Sequence, residues 1–213
     1  MKPIVLLPTK NEAKSIENMV RRIRALNYPV FIVDENSKDG TIQKAKKLGV
    51  EVFQRECLGK GCGVIKGFKV AKEKGFDTLV LIDCDMTYPI EMIPTLLKES
   101  KKFDMVVGAR PMKSIVFVHR MGNIIHSILI NLLYGAKLTD VNSGLRVMKV
   151  KDFYKKLDAK GFDIEVDITI KALKQKLKIK EIPINYKERL GVSKILWVDG
   201  IKILLKIIKE RFI

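Results

Sequence analysis

Asp83 and Asp85 stand one residue apart in LVLIDCDMTYP, directly behind an apolar run at 79–82. A short apolar run bounded by turn signals suits a buried strand of a parallel sheet, so the two acids fall at a strand's carboxyl end. Side chains two residues apart point the same way while the chain is extended, so both carboxylates can converge on one small object. Converging carboxylates repel unless a cation lies between them. Oxygen-only ligation with room for water suits Mg²⁺ or Mn²⁺ holding a diphosphate. The plainer alternative is a pair of strand-end acids that cap the following helix.

Other strand ends carry polar groups too. In PTKNEAKSI, Pro8, Thr9, Asn11 and Glu12 stand where a loop meets a helix, and backbone N–H groups with short polar side chains can hold a base or ribose there. Capping alone would also account for Asn11 and Glu12. VDENSKDGT stacks Asp34, Glu35, Asn36 and Asp39 before a glycine turn, and an acidic strand end can grip nucleotide hydroxyls. Three strands thus deliver acids to one edge of the sheet, and capping would have to explain all three together.

The elements that position these groups alternate. PIVLLP, VFIVDENS, VEVFQ, DTLVLIDCD and FDMVVGAR read as strands. Between them, NEAKSIENMVRRIRAL is an amphipathic helix with Ile16, Met19, Val20 and Ile23 on one face. KDGTIQKAKKLG, GCGVIKGFKVAKEKG and IEMIPTLLKESKK are helical as well. This βαβα order predicts an α/β fold, a mostly parallel Rossmann-like sheet with helices on both faces. Beyond Arg110 the character changes. SIVFVHRMGNIIHSILINLLYGAKL is helical and apolar on more than one side, and two readings are open for 115–135: a core helix, or helices lying at a membrane interface. Residues 195–213 read as a basic amphipathic helix that either rests on anionic lipid or packs back on the domain. His119 and His126 read as core or interface histidines.

A chain of 213 residues allows one substantial core. Three cysteines without paired metal spacing predict a reduced, cytoplasmic protein with Cys57 and Cys62 as bystanders. The apolar start is too short for a signal peptide, and no uncharged run of about eighteen residues occurs to span a bilayer. A formal charge of +17 predicts attraction to something anionic. The lysines are scattered without aromatic interleaving, which favours a solvated surface and no nucleic acid, and a basic nucleic-acid-binding protein is the non-enzymatic alternative.

The blocks PTKNE, VDENSKDGT, GKGCGVIKG, DCDMTYP, VVGAR, DVNSGLRVMK and EIPINYKERLGVSK, in this order, resemble the family 2 glycosyltransferases of GT-A fold, specifically the dolichol-phosphate and polyprenyl-phosphate sugar synthases. The resemblance implies a catalytic domain over 1–194, a nucleotide-sugar donor, Mg²⁺ or Mn²⁺, and inverting transfer to a dolichyl or polyprenyl phosphate. It places the protein peripherally on the cytosolic face of the cell membrane. It implies that Pro8, Thr9, Asn11, Glu12, Asp34, Glu35, Asp39, Lys60 and Asp83 bind the nucleotide-sugar. Asp83, Asp85 and Thr87 would hold the metal. Arg110, Arg120, Arg189 and Lys194 would join Asp85 in catalysis by meeting phosphate oxygens. Two places depart from the mannosyl members' pattern: Thr87 stands where they carry Gln, and Asp163 where they carry Lys. Phe162-Asp163-Ile164-Glu165 is closer to the block of transferases that use UDP-sugars, so both GDP-mannose and UDP-sugar donors stay open.

A phosphate monoester has a second pKa of about 6 and is already anionic at neutral pH, so its attack needs no general base. A hydroxyl acceptor needs one, and Asp163 or Glu165 could supply it. These two acids therefore discriminate the acceptor classes, unless they simply complement the dipole of the helix they begin. A nucleotidyltransferase would carry its glycine-rich loop after the first strand, where LLPTKNEAKSI has none.

Overall fold

The computed structural model describes residues 1–187 and 197–212. Seven strands form one sheet in the order β3-β2-β1-β4-β6-β5-β7. In chain order the elements are β1 (Pro3–Thr9), α1 (Ile16–Ala25), β2 (Val30–Asp34), α2 (Thr41–Lys47), β3 (Glu51–Gln54), α3 (Lys60–Glu73), β4 (Thr78–Leu81) and α4 (Ile93–Glu99). There follow β5 (Met105–Ala109), α5 (Phe117–Tyr134), β6 (Arg146–Lys149), α6 (Val150–Phe153), α7 (Ile164–Lys174), β7 (Ile179–Pro183) and α8 (Trp197–Arg211).

The sheet is buried on both faces, which is why its central strands are continuous apolar runs rather than alternating ones. Val5, Leu7, Val80 and Ile82 face one core with Ile16, Met19, Val20 and Ile23 of α1. Leu6, Leu79 and Leu81 face a second core with Phe68 of α3 and Phe153 of α6. Each such side chain contributes about 1.5–3 kcal/mol by leaving water. The α1 stripe predicted from spacing is fully buried, whereas residues 11–15 form a turn ahead of it.

All strand pairs are parallel except those of β6, which runs antiparallel between β4 and β5. Its register sets Arg146 opposite Leu81 and Val107. An antiparallel strand begins where its parallel neighbours end, so the loop ahead of β6 arrives at the edge bearing Asp83.

Two features correct the sequence reading. The strand expected to run through Asp85 stops at Leu81, and Met86 takes a left-handed φ of 66°, so the acids sit on a turning chain and not on an extended one. Cys57 and Cys62, expected as reduced bystanders, form a disulfide. The six-residue segment folds back at the start of α3 and brings their Cα atoms to 5.6 Å, within disulfide reach. Cys84 is the free, buried cysteine, its thiol pushed well up by burial and by the Glu12 charge.

A third cluster joins α5, α7 and α8 through Ile130, Val166, Ile170, Ile203 and Ile207. It is reinforced by an ion-pair network. Lys206 contacts Asp158 at 2.5 Å and Asp167 at 3.2 Å, and Lys171 and Lys174 meet Glu210. Asp158, Asp167 and Glu210 are close enough together to hold a metal ion, but these lysines already supply their cations. The helix α8 therefore packs back on the domain through one face. Its other face leaves Ile201, Leu205 and Ile208 in solvent, and Phe212, just past the helix, is exposed too.

Candidate active site

At the carboxyl edge of β1 and β2, Thr9 Oγ1 donates to Asp34 at 2.7 Å. The fully buried Asp34 carboxylate also accepts from the Ser37 amide at 2.8 Å and the Ser37 hydroxyl at 2.6 Å. Asp39 accepts from the Ala13 and Thr41 amides and the Thr41 hydroxyl. Burial works to raise the Asp39 pKa, but these bonds outweigh it and lower the carboxyl below its usual range. Asn11 Oδ1 accepts from the Lys38 amide, and the Glu12 amide donates to the Thr41 hydroxyl. The two loops are thus laced together, with Asp34, Asp39 and Asn11 shaping them. Pro8 lies beside them in register with Val33. Glu35 is held between Lys10, at 2.6 Å, and Arg55. Arg55 also donates to the carbonyl of Gly59, which ties the acidic strand end to the start of α3.

Across the sheet, Lys60 Nζ lies 2.6 Å from Asp83 Oδ1 and 2.6 Å from Glu165 Oε1. Burial alone would lower the Lys60 pKa, but these two carboxylates outweigh it and raise the ammonium well above its ordinary value. Asp85 is buried and accepts from the Thr87 amide at 3.2 Å and the Thr87 hydroxyl at 2.6 Å. Thr87 is fully buried, and its hydroxyl proton points at Asp85. Asp163 precedes α7 and accepts from the Gly161 amide at 3.1 Å.

The loop at 140–145 closes the site. The Arg110 amide, Nε and Nη2 all donate to Asp140, at 2.7–2.9 Å, and the guanidinium lies 5.3 Å over the ring of Tyr186. Burial would lower the Arg110 pKa, yet Tyr88 and Asp140 hold it well above the usual range. Ser143 Oγ donates to the Gly108 carbonyl, and the Gly144 amide donates to the buried Tyr88 hydroxyl at 2.7 Å. Arg146, fully buried, donates to the carbonyls of Val141 and Ser143 and to Thr169 Oγ1 of α7. These bonds press Gly144 against Asp83. A Cβ at Gly144 would stand 2.4 Å from Asp83 Oδ2 and 2.9 Å from its Cγ, nearer than side chains approach. Gly144→Ala is therefore expected to displace the Asp83 carboxylate and weaken metal-dependent nucleotide binding about tenfold, measurable by calorimetry. Unchanged affinity would show that Asp83 need not sit where it does.

Of the other expected site residues, Arg120 lies on α5 over the ring of Phe117. Arg189 and Lys194 lie outside the described residues. Sequence reasoning missed Arg55, Tyr88, Asp140, Gly144 and Arg146 as individuals, although the block DVNSGLRVMK holds three of them. His126, on the buried face of α5, takes Asn142 at Nδ1 and Gly200 O at Nε2, at 3.0 and 3.1 Å, and burial lowers its pKa. Cleft size does not mark this edge: a depression of about 790 Å³, lined by Met1, Phe76, Ser100 and Lys149, lies at the opposite end of the sheet.

Asp83 and Asp85 offer hard oxygen donors just beyond the end of one strand, with the Lys60 ammonium against Asp83. That donor set fits Mg²⁺ or Mn²⁺ and an anionic ligand.

The family model described as "Glycosyl transferase family 2" matches residues 4–173. An undecaprenyl-phosphate mannosyltransferase of Micrococcus luteus is 30% identical, covering 91% of this chain and 87% of its own length. A UDP-N-acetylglucosamine–dolichyl-phosphate N-acetylglucosaminyltransferase of Methanococcus voltae is 31% identical, covering 85% and 84%. Among solved structures, glucosyl-3-phosphoglycerate synthase of Mycobacterium tuberculosis, in complex with Mn²⁺, UDP-glucose and phosphoglyceric acid, aligns with a TM-score of 0.83 at 18% identity. That alignment covers 100% of this chain and 80% of the synthase.

Proposed function

The chain belongs to glycosyl transferase family 2, a glycosyltransferase of GT-A fold, and from that premise we propose that it transfers a sugar, with inversion, from a UDP- or GDP-sugar to a dolichyl or polyprenyl phosphate at a membrane surface. The observation that carries this reading is the Lys60–Asp83 pair at the carboxyl edge of the sheet, with Asp85 two residues further on, in a chain whose helices α5 and α8 turn apolar side chains outward.

Asp83 and Asp85 would hold the divalent metal, with Thr87 fixing the Asp85 carboxylate. When bound, that ion would stabilise charge on the departing nucleoside diphosphate as a Lewis acid. The chain's own part is positioning. Lys60 adds fixed positive charge beside Asp83, and a preorganised cation in a site of low dielectric favours developing negative charge without reorganising. The laced loops at 9–15 and 34–41 offer a rigid floor for the nucleoside. The Methanococcus voltae relative is named for a UDP-sugar and the Micrococcus luteus relative for mannose, so the donor is a matter for experiment.

The membrane reading rests on inverted amphipathicity. The buried face of α5 carries Asn123, His126 and Ser127 beside Ile130, while Phe117, Met121, Ile128 and Leu132 are exposed. Leu205 of α8 and Phe212 just beyond it are exposed as well, and the helix also carries Lys202 and Lys209. No helix among the described residues is long and apolar enough to cross a membrane. Apolar groups with basic neighbours suit the headgroup boundary of an anionic bilayer. The double variant Leu132→Glu/Leu205→Glu is expected to reduce binding to phosphatidylglycerol vesicles at least about tenfold without changing the melting temperature. Equal co-sedimentation of both proteins would remove the membrane from the reading.

The activity itself is tested by offering labelled UDP- and GDP-sugars with Mn²⁺ or Mg²⁺ and either polyprenyl phosphate or free polyprenol. Transfer to the phosphate alone is expected. Transfer to polyprenol with equal efficiency would overturn the phosphate acceptor and favour a hydroxyl acceptor served by a general base.

A further inference from the structure

Resting on that reading and deepening it, we propose that Glu165 is a positioning residue and not a general base: it seats the Lys60 ammonium beside Asp83, so the acceptor must arrive already ionised. Glu165 is almost fully buried, and its Oε1 lies against Lys60 Nζ. A general base must present an oxygen to the proton it takes, within hydrogen-bond reach of the substrate. Here an ammonium occupies the approach to Oε1. The ammonium lies between the two carboxylates as an ion pair, 2.6 Å from Asp83 Oδ1 and 2.6 Å from Glu165 Oε1. The other carboxylate considered as a base, Asp163, accepts from the Gly161 amide within its own loop.

The backbone on both sides of Lys60 is fixed to serve this contact. The Gly61 amide donates to the Gly161 carbonyl at 3.0 Å, and the Cys62 amide to the Lys160 carbonyl at 3.2 Å. The approach is so close that a Cβ at Gly61 would lie 1.9 Å from the Ala159 carbonyl oxygen. A Cβ at Gly59, whose φ is 106°, would lie 2.3 Å from that of Lys160. The Cys57–Cys62 disulfide closes a ring around the same segment. Lys60 therefore leaves a backbone stitched to the 159–161 loop, and Glu165 stands on the first turn of the helix that follows this loop. One rigid unit holds the lysine, its seat and the approach to Asp83.

Glu165 also sets how Asp83 is shared. With Glu165 charged, the ammonium is divided between two carboxylates. Without that charge it is left to Asp83 alone, where it competes with a metal ion, or to solvent, where its fixed position is lost. Both outcomes weaken the donor complex.

The test combines a chemical readout with a binding readout. Wild type, Glu165→Gln, Glu165→Asp and Lys60→Met would be treated with acetic anhydride and acylation of Lys60 followed by peptide mass spectrometry. Binding of Mn²⁺-UDP and Mn²⁺-GDP and turnover would be measured on the same proteins. Glu165→Gln is expected to acylate Lys60 at least about fivefold faster and to weaken nucleotide binding about tenfold, because a buried charge-assisted contact has been removed. Turnover at saturating donor would fall less than affinity. Glu165→Asp restores part of both, and Lys60→Met/Glu165→Gln binds nucleotide no more weakly than Lys60→Met alone. Unchanged Lys60 reactivity and nucleotide affinity with collapsed turnover in Glu165→Gln would make Glu165 a base and overturn the proposal. Failure of the underlying transferase reading looks different: the wild type would bind neither nucleotide, while the acylation contrast decides the seating of Lys60 with no nucleotide present.

Discussion

Asp85→Asn is expected to lower kcat/KM for sugar transfer by about a thousandfold, equivalent to roughly 4 kcal/mol of transition-state stabilisation. The substitution keeps the side-chain shape and an oxygen that can accept from Thr87, so the loop retains its geometry. What it removes is one negative charge at the end of β4, where a divalent cation and a nucleoside diphosphate would meet. A neutral amide binds Mg²⁺ or Mn²⁺ far more weakly than a carboxylate, because most of the attraction is charge on charge at short range. Folding stability should not fall, since burying a carboxylate is itself costly. Turnover assays and Mn²⁺-dependent thermal shift with UDP and GDP check both halves of the expectation. If the variant kept more than about a tenth of wild-type activity, a loss too small for removal of a metal ligand, the metal would have to be held by other groups.

Arg146→Met carries the second large effect, this time on stability. Arg146 is fully buried and meets two backbone carbonyls and a threonine hydroxyl. Burial pulls its pKa below the ordinary guanidinium range, against the opposing pull of the Glu165 and Asp140 charges. Methionine fills much of the volume but leaves the carbonyls of Val141 and Ser143 without their donors. Each buried acceptor so orphaned costs about 1–3 kcal/mol, partly offset by no longer burying a cation, for a net loss of about 3 kcal/mol. At this chain length that corresponds to a fall in Tm of roughly 6–12 °C. Because the same loop presses Gly144 on Asp83, nucleotide affinity should fall as well. An unchanged Tm would show that the loop holds its shape without the guanidinium.

The acidic strand ends were legible without coordinates. An apolar run that stops at a carboxylate announces both a buried strand and the polar edge where it emerges, because hydrophobic burial and charge solvation demand opposite surroundings. On that ground Asp34 and Asp83 fall on one edge, and the 3.6-residue spacing of Ile16, Met19, Val20 and Ile23 locates the covering helix. The order of the blocks from PTKNE to DVNSGLRVMK carried the family, since order along a chain is a property of sequence. Some contacts could not be read that way. That β6 runs antiparallel, that its first residue is a buried arginine, and that the loop before it ends on Asp83 all follow from tertiary contacts, such as those of Arg146 with Leu81 and Thr169, which no local period encodes. Lys60 is expected at the nucleotide-sugar site from the GKGCGVIKG block, but its ion pairs cannot be read from its neighbours in sequence. That pairing appears only when the fold sets Asp83 and Glu165 on either side of one ammonium, because charge interactions depend on distance in space and not on separation along the chain.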